Sequence, residues 1–301
     1  MADTPLKAHL DALLAGQDTE ARVDNDPIRF PRRYQAVADV EVSALLASSY
    51  AYGKVDLFIG VLERIHAVLD EHGGPAAFVR AYDPSRHAAL FTGMGYRWTR
   101  DTDLMWLFAA LRHVFETHGD LASAFAGSTA RDALASGSEA LIEGALATGH
   151  LLGKSAATAG ELPRGLRYFV PSPTGGSGCK RGNLFLRWMV RSGDGVDLGV
   201  WTHLSPADLV MPIDRHVQRI APLLGLVERT DGSWRTAAAI TRSLATLCPE
   251  DPVRYDFALA HTGISDGCTG ALVPDVCSRC AIRSVCTHGS GLRVAVRPAR
   301  G

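Results

Sequence analysis

Residues 176–186 read Gly176-Ser177-Gly178-Cys179-Lys180-Arg181-Gly182-Asn183-Leu184-Phe185-Leu186. They have the pattern of a glycine-rich turn followed by an apolar helix that carries a lysine in its first turn. Because glycine lacks a Cβ, the N–H groups of such a turn can approach an anion, and the helix N-terminus adds partial positive charge. The sequence therefore predicts a phosphate-binding turn, with backbone contacts at Gly176 and Gly178 and a side-chain contact from Arg181.

A second motif follows further along the chain and reads Pro212-Ile213-Asp214-Arg215-His216-Val217. Asp214 precedes apolar residues at helical spacing, so it is predicted to cap a helix over 214–225. Between the two motifs, residues 192–204 contain three glycines and are predicted to form a loop.

The composition is that of a globular helical protein. The chain has 301 residues, of which 47% are hydrophobic, and this suits one two-lobed domain or two small ones. Runs of alternating β-branched residues are scarce, so the fold class is predicted as all-α. The net charge of −1 makes no global case for nucleic acid, but residues 161–235 carry ten Lys and Arg against seven acids. That local excess fits a phosphate-facing surface or an ordinary solvated one.

Apolar periodicity predicts where the helices lie. Residues 37–69 form two helices that meet at the corner Tyr50-Ala51-Tyr52-Gly53, and further helices are predicted over 101–117 and 128–148. After the second motif, helices are predicted over 234–247 and 252–261. We expect one lobe, a helical bundle, at 37–160. Residues 1–36 and 161–301 form the second lobe, with the hairpin at about 173–191 and the aspartate helix at 214–225.

Four of the six cysteines lie close together near the C-terminus: Cys268, Cys277, Cys280 and Cys286. The sequence has neither a signal-peptide pattern nor a membrane-spanning apolar run, so a cytoplasmic protein is expected, and disulfides do not persist in the cytoplasm. Clustered thiols in a reducing compartment indicate a metal site. Four thiolates can hold a [4Fe–4S] cluster or Zn²⁺, and their spacing alone leaves both open.

Taken together, the glycine turn with Lys180, the Asp214-Arg215-His216-Val217-Gln218-Arg219 segment and the four cysteines resemble the helix–hairpin–helix (HhH-GPD) DNA glycosylase superfamily of endonuclease III-like enzymes. The sequence around both motifs is most similar to that of a bacterial subfamily of conserved hypothetical proteins. The resemblance covers roughly 37–288 and implies a two-lobed fold with a C-terminal iron–sulfur cluster loop, which favours [4Fe–4S] over zinc. Ser177 departs from that family, which has an apolar residue there. The first gap between the cysteines is also longer than usual.

The resemblance also implies an activity, that of a base-excision repair glycosylase with abasic-site (AP) lyase chemistry. Lys180 would attack C1′ of the nucleotide through a Schiff base. Attack requires the unprotonated amine, which a partly desolvated helix N-terminus favours. Asp214 would stabilise the oxocarbenium-like sugar. Tyr50 and Tyr52 would contact the damaged nucleotide; ordinary aromatic packing in the core is the alternative. The implied partner is double-stranded DNA with a damaged or mismatched base, bound by a nucleoid-associated monomer.

Two other classes of function stay open at this point. A non-catalytic protein that binds DNA structures would use the same turn, with Lys180 touching only phosphate. A helical protein stapled by zinc would have no nucleic-acid role at all. A test for chemical reaction at the DNA strand distinguishes the first alternative from a glycosylase. The iron content of the protein distinguishes the second alternative from both.

Overall fold

The computed structural model describes residues 5–153, 158, 160–169 and 171–291. Within these residues the secondary structure is helical and no strand is found, besides isolated bridges such as the one between Tyr96 and Thr99. The prediction of an all-α protein is confirmed. No helix in the described part of the chain is long and apolar enough to cross a membrane.

The α-helices are numbered along the chain: α1 Pro5–Ala15, α2 Thr19–Val23, α3 Val37–Tyr50, α4 Val55–Glu71, α5 Pro75–Ala81, α6 Pro84–His87, α7 Asp101–His118, α8 Leu121–Ala124, α9 Ala130–Thr148, α10 Arg164–Phe169, α11 Lys180–Val190, α12 Arg215–Leu223, α13 Trp234–Ala245, α14 Asp256–Ile264 and α15 Pro274–Cys277. Short 3₁₀ turns connect them: Pro27–Arg29, Pro31–Arg33, Ala88–Phe91, Gly149–Leu152, Pro173–Gly175, Pro206–Asp208 and Arg283–Val285. The helices predicted over 37–69, 101–117 and 128–148 are therefore confirmed.

The chain divides into two compact units, one of residues 19–209 and one of residues 1–18 with 210–301. The sequence-based boundary at residue 160 differs from this division. The reason is that α11, assigned to the second lobe by sequence, packs against α3 and α9 of the bundle. Residues 1–36 are likewise divided, with 1–18 in the unit of the C-terminal segment and 19–36 in the other.

The unit of residues 19–209 is built around α3, which is buried on all sides from Val40 to Tyr50. In the same unit, helices α7 and α9 pack against each other. Their contact is close at Gly144, where an added Cβ would lie 2.7 Å from the carbonyl oxygen of Ala110. A side chain at this position would push the two helices apart.

The loop of residues 192–204 is fixed to this unit by buried polar side chains. Arg187 and Arg191, both at the end of α11, donate to the carboxylate of Asp197, with an Arg187 Nη2–Asp197 Oδ1 distance of 3.0 Å. Further along the loop, Trp201 Nε1 donates to Glu41 Oε1 at 2.7 Å. Glu41 is 1% exposed, and its carboxylate also accepts from two backbone N–H groups of α8. The loop is thus part of the core, because breaking these contacts would leave buried charges unpaired.

The other unit packs α12 against α14. Gly263 of α14 faces the imidazole of His216, whose Nδ1 would lie 2.2 Å from an added Cβ. Tyr255 donates from its hydroxyl to Asp11 Oδ1 at 2.6 Å, which fixes α1 to the start of α14. The N-terminal helix is therefore an integral part of this unit.

Candidate nucleic-acid site and cysteine cluster

The glycine turn lies between two helices, α10 and α11. Gly176 adopts a left-handed conformation with φ of 78°, and Cys179, the last residue before α11, is also left-handed with φ of 45°. The side-chain amide of Asn183 donates to the carbonyl oxygen of Gly178 at 3.0 Å and closes the turn onto the first turn of α11. A helix, a glycine turn and a second helix therefore follow one another, with the exposed Gly176 at the surface and Gly178 buried beneath it.

Lys180 is the first residue of α11 and is half-buried. Its Nζ donates to the carbonyl oxygen of Ala51 at 3.0 Å, in the corner between α3 and α4. Among the residues that the structure describes, no carboxylate lies within ion-pair distance of this ammonium group. The amine is therefore held in place by a neutral acceptor.

Arg181 takes a different position from the predicted one. The sequence predicts a phosphate contact, but the guanidinium group donates to the carbonyl oxygens of Ser49 and Tyr168. It also lies over the Tyr168 ring, 3.5 Å from the ring centroid. Burial lowers the pKa of Arg181 below its ordinary value. Because its guanidinium group faces inward, Arg181 connects α11 to the chain at the corner by hydrogen bonds.

The two tyrosines of the corner have different surroundings. Tyr50 has no exposed surface, and its ring packs 5.3 Å from Phe169, so the core-packing interpretation holds and the predicted contact of Tyr50 with a nucleotide does not. Tyr52 is half-buried and donates from its hydroxyl to the carbonyl oxygen of Tyr96 at 2.7 Å. Tyr52 therefore retains an accessible edge at the corner.

Cys179 is a buried small residue beside Lys180. It is 2% exposed, and burial raises the pKa of its thiol to about 11. A thiol with such a pKa is protonated at neutral pH and is a poor nucleophile. Cys179 thus competes with the lysine neither as a base nor as a nucleophile.

Asp214 caps α12, as predicted, in the unit of residues 1–18 and 210–301. Its Oδ1 accepts from the backbone N–H groups of His216 and Val217, both at 2.8 Å. The second carboxylate oxygen, Oδ2, has no hydrogen-bond partner among the described residues. Asp214 is half-buried, so one oxygen stabilises the helix while the other is left for a further acceptor role.

The four clustered cysteines line one cavity in this same unit, of about 430 Å³ including the part open to solvent. The remaining lining is mostly apolar, with Ile220, Leu223, Leu224 and Ile282 among the contributing residues. All four are free and partly exposed. Burial raises the pKa of the Cys280 thiol, and the charges of the other three thiols raise it further.

The arrangement of these thiols can be compared with what a metal group needs. In the described ranges, no group of three or more His, Cys, Asp or Glu side chains is drawn together tightly enough to hold a single metal ion. Tetrahedral zinc needs its four sulfur atoms around one point. A [4Fe–4S] cluster binds each thiolate through a different iron atom and occupies a cavity between them. The cavity brings four thiols into one lining, which is the donor set that either group uses.

The fold and these sites define an all-α protein with a lysine-bearing glycine turn in one unit and a cysteine-lined cavity in the other. The family model described as "Protein of unknown function (DUF2400)" matches residues 26–265, which is most of the chain, and the protein belongs to this family. No curated protein and no solved structure matches it. The matched region includes Lys180 and Asp214 and ends before Cys268.

Proposed function

We propose that this protein is a DNA glycosylase of base-excision repair that also acts as an abasic-site lyase. The observation that carries the proposal is the position of Lys180 at the start of α11. Its amine is held by the carbonyl oxygen of Ala51 and has no carboxylate partner in the described part of the chain. A nucleophilic lysine needs this arrangement, because a paired carboxylate would favour the charged, unreactive ammonium form.

The proposed reaction begins with the attack of the neutral Lys180 amine on C1′ of the damaged nucleotide. The C1′–N bond to the base breaks, the base leaves with a proton, and opening of the sugar gives an imine between Nζ and C1′. Loss of a C2′ proton then expels the 3′ phosphate by β-elimination, and water releases the lysine. The turning of a nucleotide out of the duplex costs a few kcal/mol and is least costly at damaged or mismatched pairs, which supplies part of the selectivity.

The glycine turn is assigned to the phosphate backbone. Residues 174–177 of the turn are exposed, and the turn lies directly before the N-terminal, positive end of the α11 dipole. Amides in this position bind phosphate oxygens. Arg181 supports the turn from beneath instead of contacting DNA itself.

Asp214 is assigned to the departure of the base. Its Oδ2 is available while Oδ1 caps α12. A carboxylate fixed in this manner stabilises the positive charge that develops on the sugar without having to reorganise. Capping and catalysis are therefore compatible uses of one side chain.

The cysteine cavity is assigned to a [4Fe–4S] cluster held by Cys268, Cys277, Cys280 and Cys286. When bound, the cluster supplies structural cross-linking of the segment 268–286. Arg279 and Arg283 lie on that segment, and we expect them to present positive charge to DNA phosphates.

The experiment uses a duplex with a single abasic site, incubated with the protein under borohydride, which reduces the imine to a stable protein–DNA adduct. The chain has only four lysines, Lys7, Lys54, Lys154 and Lys180, so peptide mapping assigns the adduct to one amine. We expect the adduct at Lys180 and its loss in Lys180→Ala.

Two variants make the result specific. Lys7→Ala removes a lysine of the other unit, one that pairs with Asp11, and should leave the adduct intact. Lys180→Arg keeps the positive charge but cannot form the imine, so it should bind DNA and yield no adduct. If wild-type protein binds abasic DNA but forms no adduct, the lyase proposal is wrong, and Lys180 is a phosphate contact of a binding protein or of a hydrolytic glycosylase.

A further inference from the structure

A two-residue turn carries the most exposed large apolar side chain of the described residues. Tyr96 and Thr99 form an antiparallel bridge, with the Tyr96 N–H donating to Thr99 O at 2.8 Å and the Thr99 N–H to Tyr96 O at 3.0 Å. Arg97, the first residue of the tip, is left-handed with φ of 52°. Left-handed arginine is uncommon and costs conformational energy, so the surrounding structure must hold the turn in this shape.

Trp98, the second residue of the tip, is 65% exposed. The other four tryptophans of the chain are buried, each 8% exposed or less: Trp106, Trp188, Trp201 and Trp234. Because the indole ring is already exposed, stacking on a ligand breaks no packing contact in the core. Because the turn is rigid, the ring also loses little conformational entropy when it stacks.

The base of the turn is fixed to the corner that holds Lys180. The Tyr52 hydroxyl donates to Tyr96 O, and Gly53 lies so close that an added Cβ would be 2.3 Å from the Tyr96 hydroxyl oxygen and 3.0 Å from Arg97 Nη1. Ala51, two residues earlier, accepts the hydrogen bond from Lys180. Trp98 therefore stands at the surface of the same corner as the proposed nucleophile.

Three cations near the tip are exposed: Lys54, Arg97 and Arg100. The nearest acids along the chain are Asp56 and Asp101, and the Asp101 carboxylate accepts from the Gly93 N–H at 3.3 Å. An exposed aromatic face with cations beside it suits a polymer that offers both stackable rings and regularly spaced negative charges. Insertion into a membrane would require a larger apolar area than a single indole.

We propose that the Arg97–Trp98 turn binds an unpaired base of DNA, with the Trp98 indole stacked on the base and Arg97 on a neighbouring phosphate. The inference rests on the proposed function for the identity of the polymer, and it specifies the structure of the preferred substrate. Stacking on an indole needs a base that is out of the paired stack, so locally unpaired DNA is preferred over perfect duplex.

The test uses equilibrium binding and fluorescence with the full chain carrying Lys180→Ala, so that no covalent chemistry interferes. The probes are a duplex with one bulged thymine, the matching perfect duplex and vesicles of anionic phospholipid. Because Trp98 is the exposed tryptophan, stacking on the bulged base should quench the accessible part of the emission. Trp98→Ala should remove this quenching and weaken binding to the bulged duplex about tenfold or more, with little effect on perfect duplex.

Arg97→Ala should reduce the slope of log affinity against log salt by about one. Leu151→Ala, which removes another exposed apolar side chain of the same unit, should change neither affinity nor quenching. Circular dichroism of each variant shows whether it is folded. Equal binding of bulged and perfect duplex by wild type and Trp98→Ala would overturn the proposal, as would quenching of Trp98 by vesicles in place of DNA.

The outcome is separable from that of the lyase assay. If wild type forms no borohydride adduct but binds the bulged duplex through Trp98, the proposed chemistry fails and the unpaired-base site stands. If the adduct forms at Lys180 while Trp98→Ala binds bulged DNA normally, the chemistry stands and the site does not.

Discussion

His66, on α4, offers a sharp test of the packing of the larger unit. The side chain has no exposed surface and lies between Ser43 and the Phe30 ring, whose centroid is 4.6 Å away. Nδ1 is 2.8 Å from the carbonyl oxygen of Leu62, which can only accept, so Nδ1 carries the proton. Burial favours the neutral ring, in which Nε2 accepts from the Ser43 hydroxyl, also at 2.8 Å. The imidazole is thus neutral in the folded protein.

Burial lowers the pKa of His66 from 6.5 to about 4. In the unfolded chain the pKa of this imidazole is 6.5, so the unfolded state binds a proton at a higher pH than the folded state does. The contribution of His66 to the free energy of unfolding is therefore fully present above pH 6.5 and is lost as pH falls toward 4. The linkage relation gives a loss of about 2 kcal/mol at pH 5 and about 3 kcal/mol at pH 4.

The assay is urea unfolding of wild type and His66→Gln between pH 4 and 7.5, with the difference in unfolding free energy plotted against pH. Other titrating groups are common to both chains and cancel in the difference. Glutamine does not titrate, so the difference should shrink by the amounts given above as pH falls. A flat profile for His66→Gln would refute the neutral, buried imidazole.

Three further predictions follow from local geometry. Gly144→Ala should destabilise the protein by about 1–3 kcal/mol, because the new methyl group meets Ala110 O. An added Cβ at Gly60 has nothing within 4 Å, so Gly60→Ala should stabilise α4 by about 0.5–1 kcal/mol, and thermal melts compare the two variants. Asp214→Ala should cost about 0.5–2 kcal/mol through loss of the cap, while Asp214→Asn should keep most of that stability and still lose glycosylase activity on damaged DNA. Cys280→Ser should lose most of the bound iron and the visible absorption of the purified protein, and an unchanged iron content would contradict the assignment of the cysteine cavity.

The sequence predicted local features well because they depend on neighbouring residues. The apolar spacing of α4 and α7, the corner at Tyr50–Gly53 and the cap at Asp214 were all visible within a few residues of chain. Helix α5 was missed, although Gly74 followed by Pro75 is a usual helix start, because the helix has only seven residues. Short helices give too few turns for periodicity to show.

Features that depend on distant residues were beyond the sequence. Nothing near Arg181 indicates that its guanidinium faces carbonyl oxygens of two other segments, so a basic residue beside a glycine turn was assigned to phosphate. The observed division of the chain differs from the predicted boundary at 160 for the same reason, since the packing of α11 on α3 joins segments far apart in sequence. Exposure of Trp98 likewise depends on how the turn at 96–99 is oriented, which spacing alone does not reveal.

The hydrogen bond from Trp201 to Glu41 has a consequence for synthesis of the chain. The two residues are 160 positions apart, and a ribosome adds about 5–20 residues per second, so about 8–32 seconds separate their appearance. During that interval the carboxylate of the central helix has the backbone N–H groups of α8 as donors but lacks its indole partner. Completion of this unit therefore waits for the nascent chain to pass residue 201.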